Sequence, residues 1–77
     1  MEYNVNIVGN VIRQARENCG MSQTVLADLA VITRSHLSDI ENGICSPNLS
    51  TFWRIAYAMN LRPSRLVEMA EERMHLS

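Results

Sequence analysis

No stretch of this 77-residue sequence is long and apolar enough to cross a bilayer, and no basic-then-apolar leader opens it. These absences point to a soluble, cytoplasmic protein with no membrane partner. Positive charge is scarce too. Seven basic residues stand against eight acidic ones, for a net charge of −1 at neutral pH. The strongly basic balance that usually accompanies nucleic-acid binding is lacking, so any such role must rest on local charge. There are only three glycines and two prolines, and no repeat, low-complexity tract or long linker interrupts the chain. Cys19 and Cys45 stand far apart with no CxxC or histidine spacing. They read as two reduced thiols, with a disulfide as the lesser alternative. His36 and His75 have no local metal-ligand neighbours, and no serine or cysteine has an evident base beside it. Asp39 and Glu41 are close in sequence but point to different sides of a helix. No catalytic residue, metal site or cofactor is expected, and an enzyme is the disfavoured reading.

What is present is helical periodicity. Hydrophobic residues make up 47% of the chain, and they recur at steps of three and four. The expectation is a single domain over residues 1–77, all-α, with helices at about 6–18, 23–30, 34–42, 49–59 and 63–72. Residues Met1 to Val5 read as an arm of undefined order. Val8, Ile12, Ala15 and Cys19 give the first helix its apolar face, Gly20 its stop, and Arg16 lies unusually close to that face. Ser22 and Thr33 are natural N-caps for the second and third helices, because their hydroxyls can accept a backbone N–H left unpaired at a helix start. Asn42-Gly43 ends the third helix, since both residues tolerate a left-handed backbone. Asn48 can cap the fourth, which is expected to bury Leu49, Phe52, Ile55, Ala56 and Met59. Asn60 is a left-handed stop, and Arg62-Pro63 opens the fifth helix. Leu66, Val67 and Met69 or Ala70 give that helix an apolar side, and the tail from Glu71 to Ser77 is polar apart from Met74 and Leu76. Helices of eight residues are marginal alone in water, so the second and third need support from their flanks.

The stretch from Gln23 to Gly43, QTVLADLAVITRSHLSDIENG, resembles the signature of the lambda-repressor-like, Cro/C1-type (XRE family) helix-turn-helix regulators. The resemblance is carried by Gln23, Leu26-Ala27, Thr33, Leu37-Ser38 and Ile40-Glu41-Asn42-Gly43. Gly9 and Ile12 to Arg16 resemble the first helix of that family, and Pro47, Leu49 and Arg54-Ile55-Ala56 its fourth. The match runs from about Ile7 to Val67. One position departs from the pattern: the family usually has glycine in the turn after the second helix, where this chain has Val31. Either the turn differs here or a β-branched residue is held at positive φ with strain.

The resemblance implies a compact five-helix domain that binds double-stranded DNA, with the third helix entering the major groove. It implies a dimeric repressor or autoregulator, of the kind found among phage repressors, restriction-modification controllers and antitoxins. The residues agree chemically. If Leu37 and Ile40 face inward, Ser35, Ser38, Asp39 and Asn42 project outward, with Arg34 in the first turn. Such a face suits base edges and phosphates. Arg34 fits guanine O6 and N7, or else clamps a phosphate. Ser35 is short enough to read a base through water. Asp39 can accept from cytosine N4 or act as a filter against other bases. Gln23 and Asn42 match backbone-positioning residues. Thr33 is more a cap than a base contact, and His36 a surface residue. An Arg16–Glu41 ion pair is expected to join the first helix to the end of the third. A dimer seam is expected at the fifth helix, with Trp53 near it, and the alternative is that Trp53 is buried in the monomer. The competing function is a protein-interaction module on the same fold with weak DNA binding and a protein partner that the sequence does not identify.

Overall fold

Short polar side chains start the helices. In the computed structural model, which describes residues 2–76, Asn4, Ser22, Thr33 and Asn48 each have an extended backbone, and each accepts at least one N–H from the turn that follows. Among the described residues the elements are α1 (Val5–Asn18), α2 (Gln23–Ala30), α3 (Arg34–Glu41), α4 (Leu49–Ala58) and α5 (Pro63–Leu76), with no strand. Pro63 occupies the first position of α5, where a missing N–H costs nothing. Met1 and Ser77, the outer ends of the expected arm and tail, lie outside the described residues, as does the Leu76 side chain.

Several boundaries differ from the sequence reading. The arm is shorter, because Asn4 accepts the Asn6 and Ile7 amides and starts α1 at Val5. Tyr3 is also held, its hydroxyl 2.5 Å from Ser46 Oγ in the α3–α4 loop. Helix α3 ends at Glu41, and the left-handed residue is Gly43 (φ +73°), not Asn42. Helix α4 stops at Ala58, with Asn60 left-handed at φ 59°. Helix α5 extends through the stretch expected to be a tail, and Met74 within it packs against the core.

The core takes at least one fully buried aliphatic residue from every helix: Ile12, Leu26, Leu37 with Ile40, Ile55 and Leu66. Helix α2 packs on α3 and α4, and α1 bridges α3 and α5. Every helix thus gains the tertiary support that its length requires. At Gly9, α1 crosses α3 so closely that a Cβ there would lie 2.3 Å from the Ile40 carbonyl oxygen and 2.8 Å from that of Glu41. This glycine sets the distance between the two helices. Leu49, expected in the core, is instead 71% exposed. It sits in the first turn of α4, and its neighbour in phase, Phe52, is only half-buried.

Candidate nucleic-acid interface

Helices α2 and α3 are joined by a turn of three residues. Val31 adopts the left-handed conformation, φ 58° and ψ 48°. Its N–H donates to Asp28 O, and that of Ile32 to Ala27 O at 3.0 Å, so two carbonyls of the last turn of α2 are satisfied. Of the two outcomes open at this position, the chain takes strain in an otherwise regular turn. Arg54 of α4 donates from Nη1 to the Val31 carbonyl at 3.5 Å and from Nη2 to Thr51 Oγ1 at 3.4 Å, bracing the turn from below. Thr33 then caps α3 by accepting the His36 N–H at 3.0 Å. Its hydroxyl proton is left free to donate.

The relative placement of α1, α2 and α3 is locked by Glu41, whose side chain is fully buried. Arg16 donates to it from Nε at 2.8 Å and from Nη2 at 3.1 Å, and from Nη1 to the Met21 carbonyl at 2.8 Å. Gln23 Nε2 donates to Glu41 Oε1 at 2.9 Å, and Arg13 Nε reaches the same oxygen at 3.4 Å. Burial by itself pushes the Glu41 carboxyl up. The Arg16 hydrogen bond, then that of Gln23, the Arg16 charge and the Arg13 bond outweigh this and hold it below the usual glutamate range. The bond to Glu41 likewise raises Arg16 above its ordinary value, against the opposing effect of burial. The Arg16–Glu41 pair named from the sequence is therefore the centre of a larger cluster. Arg13 was not assigned to this pair from the sequence. Its spacing of three from Arg16 on one helix was the available signal. No buried polar side-chain atom among the described residues lacks a partner.

The outer side of α3 carries the other residues singled out from the sequence. Arg34 and Ser35 are exposed in the first turn, and His36 is exposed on the flank. Ser38 and Asp39 are half-buried, so they stand back from the surface more than the outward pattern suggested. Arg34 and Ser38, and Ser35 and Asp39, are each four residues apart and share a face. Asn42 is exposed just beyond the helix, with Nδ2 3.4 Å from Ser38 Oγ. Gln23 is only partly exposed, and its amide nitrogen is engaged by Glu41. All seven cationic residues are arginines. Arg13, Arg16, Arg54, Arg65 and Arg73 have intramolecular partners. Among the described residues, the side chains of Arg34 and Arg62 have none.

A helix-turn-helix family model matches residues 12–66, the span from mid-α1 to α5. The chain belongs to the Cro/C1-type helix-turn-helix family. Among its relatives in this family is the immunity repressor protein of Bacillus phage phi105, 37% identical over 60 residues, 78% of this chain and 42% of the repressor. The ImmF control region 10 kDa protein of the same phage is 39% identical over 54 residues, 70% of this chain and 60% of that one. This chain thus spans less than two thirds of either relative. Among solved structures, the restriction-modification controller protein C.AhdI from Aeromonas hydrophila superposes with a TM-score of 0.79. It is 29% identical, and the match covers 80% of this chain and 94% of the controller. Helix-turn-helix topology, the buried Glu41 cluster and the polar outer side of α3 all lie within the matched span. No helix among the described residues is long and apolar enough to cross a membrane, and no group of three or more His, Cys, Asp or Glu residues there could hold a metal ion.

Proposed function

We propose that this protein is a sequence-specific, DNA-binding transcriptional regulator of the cytoplasm, acting as a dimer and serving as a repressor or autoregulator. The observation that carries the reading is α3 itself. Its first turn presents Arg34 and Ser35 with no intramolecular side-chain partner, while Glu41 at its other end is locked to α1 and α2. A rigid frame behind an uncommitted polar face is what base readout in the major groove requires. The relatives support the same reading, since one is named an immunity repressor and another a restriction-modification controller. In this reading Arg34, Ser35, Ser38 and Asp39 face base edges. Asn42 and Gln23 position the backbone, Gln23 through the amide proton that Glu41 does not use.

Dimerisation is supported by apolar surface that the monomer leaves open. Trp53 is 47% and Val67 44% exposed, so the small core does not absorb them. Leu49, Trp53 and Tyr57 recur every four residues along α4, all exposed, and the rings of Trp53 and Tyr57 lie 6.4 Å apart. Leu49 and Val67 border a common groove between α4 and α5. A two-fold partner seated on this side would cover it.

The reading is tested by selecting bound duplexes from a random pool and measuring affinity for the winner. Enrichment of a two-fold-symmetric sequence is the expected result. Failure to enrich any sequence would instead favour the interaction-module reading, which the net charge of −1 also suits.

A further inference from the structure

The Glu41 cluster holds one arginine more than its single carboxylate needs. Arg16 alone reaches both oxygens, at 2.8 and 3.1 Å. Arg13 meets Oε1 only at 3.4 Å, but its Nη2 donates to Asn42 Oδ1 at 2.5 Å. That second contact has a directional consequence. The oxygen and nitrogen of an asparagine amide are nearly the same size, so an exposed asparagine can exchange them by a half-turn about χ2. A guanidinium has only donors and can face only the oxygen. Arg13 therefore keeps Oδ1 turned toward α1. Nδ2 is left on the Ser38 side. Of the two Nδ2 protons, at most one is occupied by the 3.4 Å contact with Ser38 Oγ, and the other is free for an outside acceptor. The Arg13 side chain is itself 37% exposed, with its charge opposed by Glu41.

We propose that Arg13 is a positioning residue for DNA binding: it holds the Asn42 amide with its N–H group turned toward a backbone phosphate of the duplex, without touching the DNA itself. The inference rests on the DNA-binding reading above and adds a residue to it. An amide fixed before binding loses no rotational freedom on binding, and a phosphate always meets the donor end. The contact carries no sequence information, so its loss weakens every duplex alike.

The test has two parts, one without DNA. In the free protein, the Nδ2 proton pair of Asn42 is followed by 15N-resolved NMR in the parent and in Arg13→Met. The two protons stay resolved in both proteins, because rotation about the amide C–N bond is slow. The parent pair is expected displaced from the shifts of a free, solvated asparagine amide, and the variant pair is expected to move to them. With DNA, the affinities of the parent, Arg13→Met, Asn42→Ala and the double variant are measured on the selected duplex and its single-base variants across a salt series. Arg13→Met is expected to lose about 3- to 10-fold on every duplex. Its salt slope should be unchanged, and the double variant should bind no worse than Asn42→Ala. Should Arg13→Met fail to fold, Arg13→Gln, which has no charge and too short a side chain to make both contacts, replaces it in both parts. An unaltered Asn42 amide overturns the inference alone, as does full additivity of the two substitutions. A salt slope shallower by about 0.9 also overturns it, because Arg13 would then neutralise a phosphate itself. If the parent selects no duplex at all, the DNA-binding reading fails and this inference falls with it.

Discussion

Two residues concentrate the energetic risk in this small domain. Glu41 is buried with two arginines and a glutamine around it. Removing its charge leaves Arg16, itself largely buried, without a counter-ion. Glu41→Gln is therefore expected to cost about 3–5 kcal/mol, read as a lower denaturant midpoint. An unchanged midpoint would mean that the pair contributes nothing. The pH dependence follows from the direction of the shift. Because the folded carboxyl lies below its unfolded value, the unfolded chain takes up more protons on acidification. The Glu41 contribution is complete above the unfolded value, about 4.3, and is lost as pH falls through the folded one. Stability of the parent should drop from about pH 5 downward. In Glu41→Gln the same curve should be flatter, and parallel curves would remove Glu41 as a source of acid sensitivity. Val31 is the other case. Its side chain is 74% exposed and its backbone left-handed, so it is strained with little packing in return. Val31→Gly relieves about 1–2 kcal/mol of strain and gives back part of it in unfolded-state entropy. A net gain of up to about 1 kcal/mol is expected in thermal or denaturant melts. A loss would show that the exposed isopropyl group packs in a way that its exposure does not reveal.

Among the helices, the contact between α1 and α3 decides how α3 is presented. Gly9→Ala would set a Cβ against two backbone carbonyls that cannot swing aside as a side-chain tip could. Overpacking of this kind costs about 1–3 kcal/mol, and the helices must part to accept it. The variant should melt earlier and also bind DNA more weakly, because Glu41, Asn42 and the α2–α3 frame move together. A variant that melts early but binds with parental affinity would separate the crossing from recognition. Within α3, Arg34 is the side chain with most freedom to choose its ligand. Arg34→Ala is expected to cost about 1–3 kcal/mol on the selected duplex and to relax preference at one base pair, as removal of a guanine contact would. An equal loss on every sequence would make Arg34 a phosphate clamp. No loss on any would remove it from the interface.

For the whole molecule, charge sets the terms of binding. A net charge of −1, with five of seven arginines engaged internally, leaves few cations to displace counter-ions from DNA. Arg65, for example, pairs with Glu68 at 2.6 Å on the outside of α5. Each phosphate neutralised contributes about 0.9 to the salt slope. The slope of a dimer should therefore have a magnitude below about 5, with weak binding to random DNA. A steeper slope would show that internally paired arginines are released on binding. If two copies meet across the α4–α5 side, they should read half-sites about 34 Å apart. Sedimentation equilibrium at micromolar concentration should then return twice the chain mass, and Trp53→Ala should shift it toward the monomer. A monomer mass for the parent would leave the exposed tryptophan to some other partner.

The helices and all but one of their starts were legible in the sequence, and most of their stops to within one residue, because those signals act within a few residues. A hydroxyl or amide accepts an N–H two or three positions on, as at Asn48, and a glycine or asparagine tolerates positive φ, as at Asn60. The Cro/C1-type pattern was legible for the same reason, since its key positions lie within 21 consecutive residues from Gln23 to Gly43. Leu49 was misplaced because helical phase says which side a residue faces, not whether another helix extends far enough to cover it. The engagement of Gln23 with Glu41, the grip of Arg13 on Asn42 and the bracing of Val31 by Arg54 join residues 18, 29 and 23 positions apart. Such meetings depend on the angle and distance at which helices cross. Those are set by packing of the whole core and by the space left at Gly9, and no local pattern encodes them. The sequence by itself determined five helices and, through its resemblance to the family, which of them is expected to read DNA. Only the tertiary structure decided which of its polar residues remain free to meet DNA, because each arginine or amide that finds a partner within the fold is withdrawn from the surface.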